Sequence, residues 1–144
     1  TDQTVLSMWV SGSNGKWMCY AQVKEKEQQF IFYSVCSTNV PPEKLMDIAE
    51  FIARANYGLI IGNFELDFSD GELRYKTSID VEKDRLSVAL IEQLVHTNLA
   101  ILDRYLPGLM SVIFGQTTPE EAVRKVESSE EELSYPISFS NFSA

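Results

Sequence analysis

The first residues that could do chemistry are four carboxylates grouped in one short stretch of the chain. They are Glu65, Asp67, Asp70 and Glu72. Grouped carboxylates serve glycosidases as an acid–base pair and calcium loops as ligands. A calcium loop also needs oxygen ligands at fixed alternate positions and a terminal bidentate glutamate, which this spacing lacks. Because Arg74 and Lys76 follow closely and can pair with the carboxylates, we interpret the cluster as a charge-paired β-hairpin.

One histidine and two cysteines are the next candidates for catalysis or metal binding. His96 has no nucleophile or metal-binding signature near it, so we interpret it as a solvated helix residue. The three side chains are too few for a structural zinc site, which uses four ligands. Cys19 and Cys36 lie on neighbouring predicted strands. A turn centred on Glu27 and Gln28 would place them opposite each other and permit a disulfide, whereas a turn one residue earlier would separate them. We expect buried thiols.

Residues 12–16, Gly-Ser-Asn-Gly-Lys, only superficially resemble a phosphate-binding loop. Two residues rather than four separate the glycines, and Trp17 stands where a Ser or Thr is needed. Asn14-Gly15 is instead a strong signal for a type I′ hairpin turn, which needs positive φ at both positions. With no acid, base and nucleophile in a recognisable arrangement, the sequence predicts a non-enzymatic protein without cofactor or metal.

Hydrophobic alternation predicts strands over residues 5–11, 17–24 and 30–37, which form a three-stranded antiparallel meander. Pro41 and Pro42 then introduce an amphipathic helix that Gly58 ends. Residues 64–68 and 73–79 alternate again around Asp70-Gly71. If those two residues form the loop, Asp67 lies opposite Arg74 and Glu65 opposite Lys76.

The second half of the chain predicts helices. Ser87 can cap a long helix over residues 88–114, which Pro107 should kink or break near Leu106. Thr118 begins a capping box and a short helix to about Glu127. An acidic run over residues 128–132 follows, which we interpret as a solubilising or steering element. Residues 133–142 alternate as an edge strand or belong to a mobile tail. We therefore divide the chain into one domain, residues 1–127, and a tail, residues 128–144.

Composition bounds the class of protein. The chain has 144 residues, 44% of them hydrophobic, with 12 basic and 21 acidic residues and a net charge of −9. A chain of this length buries a core without disulfides. Excess negative charge disfavours nucleic acid and anionic membranes as partners. No apolar run is long enough to span a membrane, and the chain begins at Thr1 without a recognisable signal peptide, so we expect a cytoplasmic location.

Two stretches carry a resemblance to a known family. Residues 51–81 read FIARANYGLIIGNFELDFSDGELRYKTSIDV, and residues 103–123 read DRYLPGLMSVIFGQTTPEEAV. They resemble the YbjN-domain family, candidate bacterial sensory transduction regulators with a type III secretion chaperone-like fold, over roughly residues 5–127. The resemblance implies an α+β domain with an antiparallel sheet, helices on one face and a tendency to dimerise. It supplies no catalytic residues, and the leading helix of the common plan is missing from this chain.

The first meander is hydrophobic on both faces, although antiparallel sheets usually have one polar face. One face carries Leu6, Met8, Val10, Trp17, Cys19, Ala21, Val23, Phe30 and Phe32, and its small residues, with Ser34, allow close helix approach. The other face carries Val5 and six residues that we name the contact surface: Trp9, Met18, Tyr20, Ile31, Tyr33 and Val35.

Tryptophan, tyrosine and methionine are enriched in interface cores. A second subunit, residues 133–142, a missing N-terminal helix or a client protein could cover the contact surface. We expect a protein-binding domain with a regulatory or chaperone-like role, acting as a homodimer. The alternative is a small-ligand pocket between the long helix and the sheet, near Tyr75, Tyr105 and His96.

Overall fold

The structure, a computed structural model, describes residues 3–128 and 138–143, and side chains over residues 4–128. The strands are β1 (Gln3–Ser11), β2 (Lys16–Lys24), β3 (Gln29–Val35), β4 (Asn63–Leu66), β5 (Leu73–Asp80) and β6 (Ser138–Ser143). The helices are α1 (Leu45–Gly58), preceded by a 3₁₀ turn over Pro42–Lys44, α2 (Val88–Phe114) and α3 (Pro119–Ser128). The predicted acidic run after Ser128 and the first part of the predicted last segment lie outside the described residues.

The six strands form one antiparallel sheet in the order β4-β5-β3-β2-β1-β6. The predicted meander and hairpin therefore join, because β5 pairs with β3. Helix α2 packs against β3 and β5, α1 lies against β4, and α3 packs on both helices. The predicted α+β class, with an antiparallel sheet and helices on one face, is confirmed. Of the alternatives for the last segment, residues 138–143 form an edge strand beside β1.

The first turn differs from the predicted one. Ser11 pairs with Lys16, so the loop comprises residues 12–15, and the Gly12 amide donates to the Gly15 carbonyl at 2.8 Å. Neither Asn14 nor Gly15 has a positive φ, so the type I′ prediction was wrong. The pairing shifts by two residues relative to an Asn14-Gly15 loop. A shift by two leaves every side chain on its predicted face, because side chains alternate with a period of two.

A carboxylate from α2 explains this turn. The Asp103 side chain, 3% exposed, accepts hydrogen bonds from the Ser13 amide at 3.0 Å and from the Asn14 amide at 2.8 Å. A Cβ at Gly12 would collide with the same carboxylate. The contact lies far away in sequence, so local turn preferences do not reveal it.

The same turn explains why Pro107 does not break the helix. A proline has no N–H, so the carbonyl four residues earlier, that of Asp103, loses its helical donor. The Asn14 side-chain amide donates to that carbonyl at 2.9 Å. Helix α2 consequently continues from Val88 to Phe114 with Pro107 inside it, so of the two predicted alternatives, a kink or a break, the break is wrong. Ser87 caps the helix as predicted, accepting from the Leu90 amide.

The hairpin of β4 and β5 also has a longer loop than predicted. Glu65 lies opposite Arg74 and Asn63 opposite Lys76, so the predicted register is wrong, although the Glu65–Lys76 ion pair forms diagonally. Asp67 instead shapes the loop, where its carboxylate accepts from the Ser69 amide and hydroxyl. Gly71 has φ +78°, and a side chain there would meet the backbone of Val40. This pairing too is displaced by two residues, which preserves the faces.

One polar residue is buried where α2 meets the sheet. The Asn98 side-chain amide donates to the carbonyls of Phe32 and Tyr75 and approaches the Thr77 hydroxyl. The Thr77 hydroxyl in turn donates to the Leu94 carbonyl of the helix. These bonds fix the helix on the inner face of the sheet, where Trp17, Phe32, Leu73 and Tyr75 are buried.

Candidate contact surface

The six residues of the contact surface lie on one side of the sheet, opposite the side on which α2 packs. The register pairs Trp9 with Met18, Met18 with Val35, and Tyr20 with Tyr33, which places their side chains next to one another across β1, β2 and β3. Trp9 and Tyr20 are each 38% exposed, and the other four are partly buried. Among the described residues, no helix packs on this side of the central strands.

Two cations lie over the rings of the contact surface. The Arg74 guanidinium is 4.2 Å from the centroid of the Tyr33 ring, and the Lys16 ammonium is 5.4 Å from that of Trp9. Both distances are typical of cation–π contacts. Neither cation was predicted to lie beside the contact surface. Two features together place Lys16 and Arg74 on this side. They are the alternation of side chains along β2 and β5 and the pairing of β3 with β5.

A carboxylate shared by two cations borders the contact surface. Glu65 accepts from Arg74 at 2.9 Å and from Lys76 at 2.9 Å. Partial burial alone would raise the pKa of Glu65, but the hydrogen bonds and charges of Lys76 and Arg74 outweigh it and lower that pKa. Of the four carboxylates grouped in the sequence, Glu65 pairs with both Arg74 and Lys76. Glu72 lies 4.0 Å from Arg74. The charge-paired hairpin is present: Lys76 pairs with Glu65 as predicted, and Arg74 pairs with Glu65 instead of Asp67.

The two cysteines are free and buried in the core. Cys19 pairs with Ser34 across β2 and β3, so of the two alternatives the earlier turn, which separates the cysteines, is the observed one. The Cys19 sulfur lies 3.3 Å from the Ser34 hydroxyl, which also accepts from the Trp17 ring nitrogen at 3.0 Å. Burial raises the pKa of Cys19 to about 12 and that of Cys36 to about 11. Thiols held protonated in this way are poor nucleophiles.

The three residues of the predicted ligand pocket do not converge on one cavity within the described part of the chain. Tyr75 and Tyr105 are buried, and both rings pack edge-on against Phe64. The Tyr75 hydroxyl donates to the Ile61 carbonyl and that of Tyr105 to the Glu127 carboxylate. His96 is exposed on α2. Both tyrosine hydroxyls thus serve contacts within the fold.

An open groove of about 860 Å³ lies between α1 and α3, and no binding site was predicted there. It is lined by Glu50, Ala53, Arg54, Tyr57, Glu120, Val123, Arg124, Glu127 and Ser128. Arg54 bridges Glu50 at 3.0 Å and approaches Glu120 at 3.8 Å, so its charge is satisfied across the groove. Tyr57, 96% exposed, stands at its border. The lining shows no convergent set of free polar groups.

Comparison with known proteins gives one match. The YbjN family model, described as "Putative bacterial sensory transduction regulator", matches residues 2–110 of the 144. No curated protein and no solved structure matches the chain. Within the described residues, no helix has the length and hydrophobicity needed to cross a membrane, and no group of three or more His, Cys, Asp or Glu side chains is arranged to hold a metal ion.

Proposed function

The chain belongs to the YbjN family, and from that premise and the geometry of the sheet we propose that it is a non-enzymatic regulatory domain that binds protein through the contact surface, as a homodimer. The observation that carries the proposal is the apolar side of β1, β2 and β3 opposite the helices. Trp9 and Tyr20 remain more than a third exposed there.

Burial energetics support this choice of surface. Removing apolar area from water stabilises by about 25 cal/mol per Å². Covering Trp9, Tyr20 and their neighbours would therefore contribute several kcal/mol, which is comparable with the ~5–15 kcal/mol that stabilises a whole domain. In a two-fold dimer the same patch meets its own copy, so one apolar surface is enough to build the interface.

Light scattering on a substituted protein tests the proposal. Trp9→Lys combined with Tyr33→Lys places two charges in the centre of the contact surface, and we expect the wild-type dimer mass to fall to that of a monomer. The matched control is Tyr57→Lys with Ile60→Lys, because these side chains are 96% and 93% exposed and lie away from the surface. The control should keep the wild-type mass.

A milder variant distinguishes loss of the interface from loss of the fold. Trp9→Ser with Tyr20→Ser removes apolar area without adding charge, and circular dichroism reports whether the sheet persists. A folded variant with a monomer mass supports the proposal. A wild-type protein that is monomeric at every concentration, or a Trp9→Lys and Tyr33→Lys variant with unchanged mass and melting temperature, contradicts it.

A further inference from the structure

Charges are distributed unequally between the two sides of the sheet. The register places four cations on the side of the contact surface: Lys16, Lys24, Arg74 and Lys76. It places two anions there, Glu65 and Asp80. The chain as a whole has 12 basic and 21 acidic residues. The side that presents the exposed aromatic rings is thus the cationic side of an acidic protein.

Internal partners pair two of these cations and leave the other two. Glu65 pairs with Arg74 and Lys76, and Glu72 lies 4.0 Å from Arg74. Asp80 accepts from the Gln29 side chain at 2.9 Å rather than from a cation. Within residues 4–128, neither Lys16 nor Lys24 forms an ion pair with a side chain, and Lys16 lies over the Trp9 ring.

We infer that the contact surface takes an acidic protein segment in which carboxylates alternate with aromatic or aliphatic side chains. This inference rests on the proposed function and names the chemistry of the partner. Apolar side chains of such a segment would cover Trp9, Tyr20 and Tyr33 while its carboxylates meet Lys16 and Lys24. Complementary charge fixes register and raises the association rate.

The charges also rank the competing occupants. A second copy would bring the same cations to the interface, where like charges repel. An acidic segment is attracted by these cations, so it would compete with the second copy for the contact surface. A nucleic acid also offers stacking rings and negative charge, but its affinity depends on many phosphate contacts. Four cations supply few such contacts, and the net charge of −9 on the chain repels a long polyanion.

Fluorescence anisotropy with labelled peptides tests the inference. The probe is a short peptide in which glutamates alternate with phenylalanine and leucine, and its matched control has lysine at every glutamate position. We expect the glutamate peptide to bind at least about tenfold more tightly than the lysine peptide. We also expect the difference to shrink as salt screens the charges. Trp9→Ser with Tyr20→Ser, which removes apolar area without adding cations, should abolish binding of the glutamate peptide.

Two charge-reversal variants locate the effect. Lys16→Glu with Lys24→Glu should weaken binding of the glutamate peptide at least about tenfold. Arg124→Glu with Lys125→Glu changes the net charge equally at exposed positions on α3, which packs on the helices rather than on the contact surface, and it should leave binding unchanged. Circular dichroism confirms that both variants are folded.

Several results would overturn the inference: no binding of the glutamate peptide, equal binding of the lysine peptide, equal losses in the two charge-reversal variants, or tighter binding of an oligothymidylate than of the peptide. The light-scattering mass of the wild type and its variant tests the proposed function independently of these peptide-binding results. If the wild type is a dimer that Trp9→Lys with Tyr33→Lys dissociates while no acidic peptide binds, the proposed function stands and only the acidic partner is excluded.

Discussion

At the scale of single residues, the two thiols show how strongly the core controls reactivity. Cys19 and Cys36 are both buried, and burial raises their pKa values to about 12 and about 11. The thiolate is the reactive form of cysteine, and at mildly alkaline pH almost none is present in the native state.

Alkylation should therefore report unfolding. We expect iodoacetamide to modify Cys19 and Cys36 in native protein only at the rate at which the core opens, and to modify both rapidly in urea. Peptide mapping by mass spectrometry over time measures each site separately. Native-state modification of either thiol as fast as that of free cysteine would show that it is accessible without unfolding.

A second effect at this scale is the replacement of a helical donor by a side chain. Asn14 donates to the carbonyl of Asp103 that Pro107 leaves free. Asn14→Ala should lower the free energy of unfolding by about 0.5–1.5 kcal/mol. In a Pro107→Ala background the restored backbone N–H can serve that carbonyl, so the same change should cost less.

Urea denaturation of the wild type, both single variants and the double variant measures this coupling. Equal costs of Asn14→Ala in the two backgrounds would mean that Asn14 does not substitute for the missing donor. Asn39→Ala is a useful control, since its side chain bonds a carbonyl in another loop, that of Asp70.

At the scale of elements, alternation predicted the faces of the strands, whereas local turn signals did not predict the pairing. The loop centred on Ser13 and Asn14 depends on Asp103, 89 or more residues away in sequence. Because the displacement by two residues preserves alternation, the six residues of the contact surface still share one side. The position of Arg74 beside Tyr33 depends on the β3–β5 pairing, which no turn signal encodes.

The charge pairs of the β4–β5 hairpin give a pH-dependent prediction. Arg74 and Lys76 lower the pKa of Glu65 in the folded state, so its carboxylate stabilises the fold above its unfolded pKa, and this contribution is lost as the pH falls through the folded pKa. Glu65→Gln should cost about 0.2–1 kcal/mol at neutral pH and nearly nothing in strong acid.

Urea titrations at several pH values test this dependence, with the exposed Glu43→Gln as the control that should show little effect at any pH. A cost of Glu65→Gln that stays constant between neutral and strongly acidic pH would show that charge is not the source of the stabilisation.

At the scale of the whole molecule, the exposed edge of the sheet at β4 is protected by a side chain. The Asn56 amide group accepts from the Phe64 amide at 2.7 Å and donates to the Phe64 carbonyl at 3.1 Å, as a neighbouring strand would. Unpaired strand edges recruit other chains, and proteins block them in various ways. Asn56, at the end of α1, does so here.

Removing this protection should promote edge-to-edge association. We expect Asn56→Ala to lower the free energy of unfolding by about 1–3 kcal/mol and to produce large aggregates that increase with protein concentration. Asn63→Ala is the matched control, because it removes only a bond to the same carbonyl and leaves the Phe64 amide paired. Light scattering of both variants decides the matter, and equal aggregation would exclude a specific role of Asn56.

The attachment of residues 12–15 to the middle of α2 has a consequence for recognition. The tip of the β1–β2 hairpin is anchored by a buried carboxylate and a side-chain amide, so the strands that carry Trp9 and Met18 are already rigid before anything docks on them. Association through this side would then lose little conformational entropy and would proceed as docking of a preformed surface.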